Sequence, residues 1–510
     1  MQLEEQPFAL HNKLYQLSYQ QTAYQDVHLK TTGCKTERDR SILTLQRPLR
    51  NLAGWIVAAA LVFAPFALGC IPPWAIAETV FALSVATGLW LLDRIFWFRS
   101  ASTRLPKVAV VCSCLLLCAG WFMTVNATRI FDPFHNALVP IAHPFAHLPG
   151  AFEQITAKLA MIRLDALVGA LLIACDLGAE EKWRMRWLHA IAWTGAAIAA
   201  LGISEQAGLV TFLASRMSQT EGAHFATYNY HGNAGAYMNL SLAISGGLLL
   251  QALSEKDQTK LGAWRRRGNS VLLAITVAGV LFNTSRGAQL ISLLEILALG
   301  CFAVTSFAHH KAVQARTKRY AVPLVAVLCV LLLAALVGQS HRNLNKWLNI
   351  AGAVSSDASR WQVWHVTKPM VRSAGLLGHG PGAFKMMLPI SKDLSNALYS
   401  RWIIQEHIPG ERTSMWSMAH NDYLQTIVEY GWLGFLLLAV ILGGGLLTVA
   451  WRQWVRDYAP KLPGNASLFG VVIGLGGVLL HSGFDFPLQV ASIQLTAVVF
   501  TGICWSASRW

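Results

Sequence analysis

The chain has 510 residues, of which 54% are hydrophobic and only 13% are charged. Soluble domains carry about 25% charged residues, so this composition excludes an ordinary soluble enzyme. The formal net charge of +15 would suggest a nucleic-acid partner in a soluble protein. In a membrane protein, the enrichment of Lys and Arg in cytoplasmic loops explains it more simply, and no nucleic acid is expected.

Residues 1–50 are polar and basic, and they lack the apolar run near Met1 that marks a signal peptide. We interpret them as a cytoplasmic N-terminal tail. Beyond them, apolar residues gather into stretches long enough to cross a bilayer core. The twelve predicted spans are 52–70, 74–92, 107–125, 164–178, 187–204, 233–252, 271–284, 287–307, 320–339, 430–450, 466–482 and 489–507.

Basic residues set the predicted orientation. With the amino terminus in the cytoplasm, most of the 41 Lys and Arg residues fall in cytoplasmic segments, as the positive-inside rule requires. Both termini are then cytoplasmic. The chain divides into the tail 1–50, spans 1–9 in 51–339, one large outer loop in 340–425, and spans 10–12 in 426–510. Tryptophans and apolar pairs at helical spacing predict that the large loop folds into short helices.

Two arginines at the predicted outer face are candidates for binding phosphate. Arg286, in Asn-Thr-Ser-Arg-Gly, separates two spans almost without a loop, and Arg360 opens a predicted helix in the large loop. A guanidinium binds phosphate oxygens bidentately. The alternative for Arg286 is a side chain that extends to the lipid headgroups. Gly380 and Gly382, in Gly-His-Gly-Pro-Gly, form a tight turn whose amides could bind an anion, or a turn that is purely structural.

His420 lies in Ala-His-Asn-Asp-Tyr-Leu-Gln, at the end of the large loop and just before a span. A neutral imidazole can take a proton from a hydroxyl as that hydroxyl attacks. Asn421 and Tyr423 beside it are candidate substrate contacts. The alternative interpretation is a segment that only caps and packs the start of span 10.

A second polar stretch leads into span 6 at the outer face. It offers hydroxyl, amide and imidazole groups that suit sugar contacts, although helix-entry chemistry explains them equally well. The candidates are Tyr228, Asn229, His231 and Asn233.

Three carboxylates lie inside apparent spans: Glu78, Asp165 and Glu295. Such groups could form a proton path in a transporter, but their spacing makes no recognisable relay, and structural pairing inside the bundle is favoured. The cysteines show no metal-ligand spacing with histidine, so no metal site is predicted. No phosphate-binding loop, dinucleotide fingerprint or serine-nucleophile elbow is present.

Taken together, the ordered motifs resemble those of the O-antigen ligase and polymerase superfamily of bacterial membrane glycosyltransferases. The resemblance covers roughly residues 200–500. It rests on Ser285-Arg286-Gly287, Arg360 followed by Trp361 and Trp364, residues 378–384, residues 420–425, Glu429-Tyr430-Gly431 and residues 481–487. The stretch 228–233 reads Asn-Tyr-His-Gly-Asn from Asn229 onward and departs from the family's usual Asn-Arg-Asn arrangement.

This resemblance implies an all-α polytopic protein of the bacterial inner membrane, glycosyltransferase C-like, with about twelve spans and a large periplasmic loop. It implies an inverting, metal-independent transfer that needs no cofactor, from an undecaprenyl-diphosphate-linked glycan to an acceptor hydroxyl. The acceptor is lipid A-core in a ligase, another glycan in a polymerase, or protein in an oligosaccharyltransferase. The family's catalytic residues fall on Arg286, Arg360 and His420. The rival of another class is a transporter without glycosyl transfer.

Overall fold

The structure, a computed structural model, describes residues 47–96, 105–211, 224–307, 358–388, 418–452 and 466–507, apart from positions 136, 143, 256 and 258. These residues form thirteen α-helices and one β-hairpin. The chain is an all-α polytopic membrane protein, which confirms the predicted fold class.

The bounds of the α-helices follow in chain order. They are α1 (Pro48–Phe66), α2 (Pro73–Phe96), α3 (Lys107–Val125), α4 (Gln154–Leu177), α5 (Glu181–Gln206), α6 (His231–Ser254), α7 (Lys260–Phe282), α8 (Arg286–Phe307), α9 (Ala358–Ser373), α10 (Ala383–Met387), α11 (Asp422–Trp451), α12 (Ala466–His481) and α13 (Ala491–Ser506). Strands β1 (Arg129–Asp132) and β2 (Ala137–Pro140) pair antiparallel, with Arg129 opposite Pro140. Short 3₁₀ turns span Leu68–Cys70 and Pro487–Gln489.

Eleven of the twelve predicted spans coincide with one of these helices, and the span 320–339 lies outside the described residues. Among the described helices, α1, α2, α3, α5, α6, α8 and α11 are long and apolar enough to cross a membrane. Helices α12 and α13 are apolar but have only 16 residues each. Of the large loop, α9 and α10 are described, and both are short, as the sequence predicts.

Helix α6 forms the centre of the bundle, because every residue from Gly232 to Ser254 is buried. Small residues let its neighbours approach closely. A Cβ on Gly235 would lie 2.3 Å from Cβ of Ala288 on α8, and one on Gly247 would lie 3.0 Å from Cα of Gly470 on α12. Close contact through small residues is the usual way that membrane helices associate without a hydrophobic driving force between them.

The loops predicted to share the outer face meet at one end of the bundle, here called the His420 end. The Phe152 amide donates to the His379 carbonyl at 2.8 Å, and Asn421 Nδ2 donates to the Gly483 carbonyl at 2.8 Å. The opposite end, here called the Asp176 end, joins α1, α2 and α4 through buried ion pairs.

Candidate functional site

The first turn of α11 fixes the position of the His420 segment. Asn421 caps the helix, and its side-chain oxygen accepts from two amides of the first turn at 3.0 Å each. The Asp422 amide donates to the Ser482 carbonyl at 2.9 Å, and its buried carboxylate accepts from the Leu488 amide at 2.9 Å. These bonds hold the start of α11 against the turn between α12 and α13.

His420 faces this same turn. Its Nδ1 lies 3.2 Å from Asp485 Oδ1, and its ring packs edge-on to Phe486 with ring centres 4.7 Å apart. An ionised carboxylate only accepts hydrogen bonds, so we assign the imidazole proton to Nδ1 and the accepting lone pair to Nε2. The backbone of His420 is left-handed, with φ of 49°, a conformation that non-glycine residues rarely adopt.

Asp485 is buried, with 3% of its surface exposed, and it joins several groups. Tyr230 donates its hydroxyl to Oδ2 at 3.0 Å, and the Phe486 amide donates to Oδ1 at 3.1 Å. His481 Nε2 lies 3.9 Å from Oδ2. The Tyr230 ring stacks on Phe486 with ring centres 5.5 Å apart. The carboxylate is therefore fixed in the orientation that meets His420.

Arg286 is the first residue of α8 and begins that helix beside the same cluster. A Cβ on the next residue, Gly287, would lie only 2.7 Å from the Phe484 ring, so a larger residue would displace the turn. Asn283 Nδ2 donates to the His231 carbonyl at 2.9 Å and ties the start of α8 to the start of α6. Arg286 thus belongs to the His420 end.

Arg360 lies in the first turn of α9, and the structure describes only its backbone. Trp364, one turn further on, donates its Nε1 to the His420 carbonyl at 3.3 Å. Val363 packs in one apolar cluster with Ala419. These contacts place the N-terminal turns of α9 against the His420 segment, so the backbones of all three predicted catalytic residues lie at one end.

The glycine turn 378–382 already binds a residue of the protein itself, Glu429. The Gly380 amide donates to the Glu429 carbonyl at 3.0 Å, and the amides of Gly382 and Phe384 donate to the Glu429 carboxylate. Gly380 has φ of 103°, and a Cβ there would lie 2.5 Å from Ala151. These contacts favour the structural alternative for the turn over an amide cradle for a substrate anion.

His379, in the same turn, has a structural environment. Its Nε2 lies 3.0 Å from Ser373 Oγ and 3.2 Å from the Met370 carbonyl. Burial lowers the pKa of His379, against the opposing effect of the hydrogen bond to Met370. The neutral ring therefore stabilises the fold above the ordinary histidine pKa, and this contribution is lost as the pH falls through the lowered pKa.

Tyr228, a predicted sugar contact, is fully buried. Its hydroxyl lies 3.0 Å from Ser492 Oγ, its ring stacks on Tyr237, and a Cβ on Gly69 would lie 2.5 Å from it. The ring fills the space that Gly69 leaves open. This prediction therefore needs correction, because Tyr228 is a core residue here.

The other predicted substrate contacts differ in exposure. Asn229 is exposed and His231 is half-buried at the start of α6, whereas Asn233 is buried in the first turn. Tyr423 is 36% exposed and donates its hydroxyl to the Leu479 carbonyl at 2.5 Å. Asn229, His231, Asn421 and Tyr423 are the predicted side-chain contacts that are at least partly exposed.

The three intramembrane carboxylates also differ. Asp165 accepts from Trp121 Nε1 at 3.1 Å, which fits the predicted structural pairing. Glu78 is exposed on α2. Glu295 is buried, and neither carboxylate oxygen has a hydrogen-bond partner among the described residues. Structural pairing thus describes Asp165 but not Glu295.

A groove of about 510 Å³ lies between α3, α4, α11 and α13, here called the α4–α11 groove. Gly382 and Tyr423 line its end nearest His420, together with Arg163 and Lys385. Across the described ranges, no cluster of three or more His, Cys, Asp or Glu residues has the arrangement of a metal site.

Sequence reasoning missed three residues of this end: Asp485, Tyr230 and Arg163. Asp485 stands in the motif at 481–487, and the predicted topology already put that turn on the same face as His420. Arg163 immediately precedes the predicted start of span 4 at 164, so the rule that makes an ionisable residue within a membrane helix a functional candidate did not apply to it. Tyr230 carries no signal beyond its place between the candidates Asn229 and His231.

Comparison with known proteins adds independent evidence. Residues 271–439 match the family model described as O-antigen ligase, and this stretch contains Arg286, Arg360 and His420. Curated proteins give no match. The family match over these residues confirms the resemblance indicated by the sequence motifs.

Proposed function

We propose that this protein is an O-antigen ligase-like glycosyltransferase that moves a glycan from undecaprenyl diphosphate to an acceptor hydroxyl. The observation that carries the proposal is the His420–Asp485 contact of 3.2 Å at the end of the bundle where Arg286 begins α8 and Arg360 lies in the first turn of α9. A histidine oriented by a carboxylate beside two arginines suits a hydroxyl attack that expels a phosphate leaving group.

The reaction is one displacement. The acceptor O–H gives its proton to Nε2 of His420, and the oxygen attacks the anomeric carbon. The bond from that carbon to the diphosphate oxygen breaks, and its electron pair leaves with the polyprenyl diphosphate. Arg286 and Arg360 neutralise the charge that builds on the diphosphate. A single attack inverts the anomeric centre, and the arginines supply the positive charge without a metal or cofactor.

Asp485 acts through His420. Its carboxylate accepts from Nδ1, which fixes the orientation of the imidazole, and it stabilises the imidazolium after proton transfer. It is a positioning residue in this scheme, and Tyr230 in turn holds Asp485. Asn229, His231, Asn421 and Tyr423 are candidates for sugar contacts, with Asn421 also committed to capping α11.

We place the protein in the bacterial inner membrane with both termini in the cytoplasm and the His420 end in the periplasm. The basic residues of the Asp176 end and of the start of α7 support this orientation. Impermeant thiol labelling of intact cells provides the test. Leu376→Cys, 66% exposed near His420, should react, and Trp264→Cys, 68% exposed at the other end, should not. The reverse pattern would contradict the orientation.

The decisive experiment is transfer in vitro from a purified polyprenyl-diphosphate oligosaccharide to candidate acceptors, with the anomeric configuration of the product read by NMR. Lipid A-core as acceptor would support the ligase. A ladder of lengthening lipid-linked glycans would indicate the polymerase, and glycosylated protein an oligosaccharyltransferase. Retention of configuration would contradict the single displacement.

Arginine variants test the leaving-group assignment in the same assay. Arg286→Ala should abolish transfer, and Arg286→Lys should restore it poorly, because a point charge does not reproduce a bidentate fork. Arg129→Ala is the matched control at the same end, where the guanidinium lies 4.6 Å from the Phe152 ring centre. Full activity of Arg286→Lys would contradict a bidentate contact between Arg286 and the diphosphate.

A further inference from the structure

The α4–α11 groove runs deep into the bundle. Its lining residues extend from Asp422 to Gly443 along α11 and from Thr156 to Leu171 along α4. The α11 wall bends at Gly431, where the backbone is left-handed with φ of 67°. Summed over its two segments, this wall contains about 30 Å of helix at 1.5 Å per residue. A groove of that length suits a long hydrocarbon chain.

The groove is narrow as well as long. A volume of about 510 Å³ spread over that length admits one linear hydrocarbon chain. Its walls are mainly apolar side chains, such as Leu167, Leu171 and Leu438. Several acyl chains side by side, as in a multi-acylated lipid, would not fit this shape.

Positive charge lines the end of the groove nearest His420. Arg163 Nη2 donates to the Gln489 carbonyl at 2.8 Å, while its buried Nε has no hydrogen-bond partner among the described residues. Lys385 is exposed at the same end. A buried guanidinium that retains an unused donor is costly unless a ligand meets it.

Two carboxylates also line this end, but internal donors already engage them. Glu429 accepts from Gln425 Nε2 at 3.0 Å and from the amides of Gly382 and Phe384. Asp422 accepts from the Gln489 side chain at 3.1 Å and from a backbone amide. Among the described residues that line this end, Arg163 and Lys385 supply the cationic donors, which suits an anionic head group.

We infer that the α4–α11 groove holds the polyprenyl chain of the donor and that Arg163 and Lys385 contact its diphosphate. This inference rests on the proposed function and specifies where the donor lies. Asp422 and Tyr423 line the groove, whereas His420, just before them, faces Asp485. The groove thus ends within one helical turn of the imidazole, and a diphosphate at its mouth would present the glycan there.

Photo-crosslinking of a sugar-free probe tests the inference without requiring catalysis. The probe is radiolabelled polyprenyl diphosphate, and the full-length protein in detergent carries p-benzoylphenylalanine at 438, inside the groove, or at 436. Leu436 is 59% exposed on the outer side of the same helix and provides the matched control. We expect strong labelling at 438 and weak labelling at 436. Unlabelled polyprenyl diphosphate should displace the probe, and phosphatidylglycerol should not.

Arg163→Gln, combined with the crosslinker at 438, tests the head-group contact. Loss of one charge-assisted hydrogen bond should weaken probe binding about tenfold. Equal labelling at 436 and 438, displacement by phosphatidylglycerol, or unchanged affinity in Arg163→Gln would each overturn the inference.

A groove-filling variant separates this inference from the proposed function. Ala439 lines the groove and is exposed, so Ala439→Trp should block the chain without disturbing the core, whereas Leu436→Trp should not. We expect Ala439→Trp to lose both probe labelling and transfer. Transfer that survives when labelling is lost would overturn the inference and leave the proposed function standing. Labelling at 438 in a wild-type protein that transfers no glycan would support the groove and overturn the proposed function.

Discussion

Two buried aspartates, one at each end of the bundle, have different partners. Asp176 is fully buried and meets two guanidinium groups, with Arg50 Nε at 3.1 Å and Arg94 Nη2 at 3.2 Å. Trp90 donates its indole N–H to the same carboxylate at 2.9 Å. Asp485 instead meets an imidazole and a phenol, those of His420 and Tyr230.

The difference separates a structural cluster from a chemical one. Guanidinium groups remain protonated in proteins, so the charge at Asp176 is fixed and ties three helices together. An imidazole can accept and return a proton during a reaction, so the charge beside Asp485 can change. Substitutions at the two ends should therefore dissociate stability from activity.

The largest expected effect is on turnover at the His420 end. His420→Asn should lower single-turnover transfer about 10²–10⁴-fold, because the general base is removed. Asparagine tolerates the left-handed backbone, so the thermal midpoint should stay close to that of the wild type. Binding of the lipid-linked donor should survive, since the arginines carry it. A well-folded variant with near-normal turnover would leave the capping interpretation of His420 as the better one.

The reverse pattern is expected at the Asp176 end. Arg50→Ala should destabilise the protein by about 3–5 kcal/mol, because it leaves a buried carboxylate short of a partner. Transfer per folded molecule should be unchanged. Thermal unfolding in detergent and active-site-normalised activity measure the two quantities.

Arg265→Ala provides the control for that comparison. Arg265 pairs with Glu255 at 2.8 Å, but its side chain is 38% exposed, and exposed pairs contribute only about 0–1 kcal/mol. If Arg265→Ala destabilised the protein as much as Arg50→Ala, burial would not be what distinguishes the Asp176 cluster.

A smaller effect is expected from the carboxylate that orients the base. Asp485→Asn keeps the shape of the side chain and an oxygen that accepts from Tyr230, but it weakens the hydrogen bond with His420 Nδ1. Partners that orient functional histidines typically contribute about 10–100-fold, and kcat should fall by that order with the donor KM unchanged. Tyr230→Phe, which leaves the His420–Asp485 contact intact, should lose less. A change confined to KM would indicate a substrate contact instead of positioning.

The smallest effect concerns a helix cap at the same end but away from the chemistry. Glu153 caps α4, and its carboxylate accepts from the amides of Ile155 at 2.9 Å and Thr156 at 2.6 Å. Glu153→Ala should cost about 1 kcal/mol of unfolding free energy, with no change in turnover.

The contribution of this cap should depend on pH. Burial raises the pKa of Glu153, but hydrogen bonds from Thr156, Ile155 and Phe131 outweigh it, and the pKa is lowered overall. The ionised cap therefore stabilises the fold above the ordinary glutamate pKa, and this stabilisation is lost as the pH falls through the lowered value. Denaturant unfolding of wild type and Glu153→Ala should converge in acid. A constant difference at all pH values would contradict the role of the charge.

Hydropathy predicted the bundle well because apolar stretches of sufficient length report directly on membrane helices. It placed the start of span 4 at 164, whereas α4 begins at Gln154, since the first turns of that helix carry Lys158 and Arg163 and are not apolar. The two strands of the hairpin at 129–140 have only four residues each, too few for an alternating strand pattern to be recognised in the sequence. The span 320–339 and most of the large loop remain predictions.

The site was only partly predictable, because its contacts join distant parts of the chain. His420 carried a motif, but its partner Asp485 lies 65 residues further on, and no local periodicity links the two. Tyr228 was predicted as a sugar contact from its polar surroundings. Tyr228 is buried because its ring fills the space that Gly69 leaves open and its hydroxyl contacts Ser492 Oγ. Neither contact can be read from the residues around position 228.

The left-handed backbone of His420 has a practical consequence for capturing the enzyme with its substrates. A non-glycine residue in this conformation costs about 1–2 kcal/mol, and strain of this kind concentrates at functional sites. Glycine at 420 removes the reactive ring and the strain together, while the carbonyl that Trp364 binds stays in place. His420→Gly should therefore be an inactive enzyme that loses little stability, suited to holding donor and acceptor side by side for structure determination.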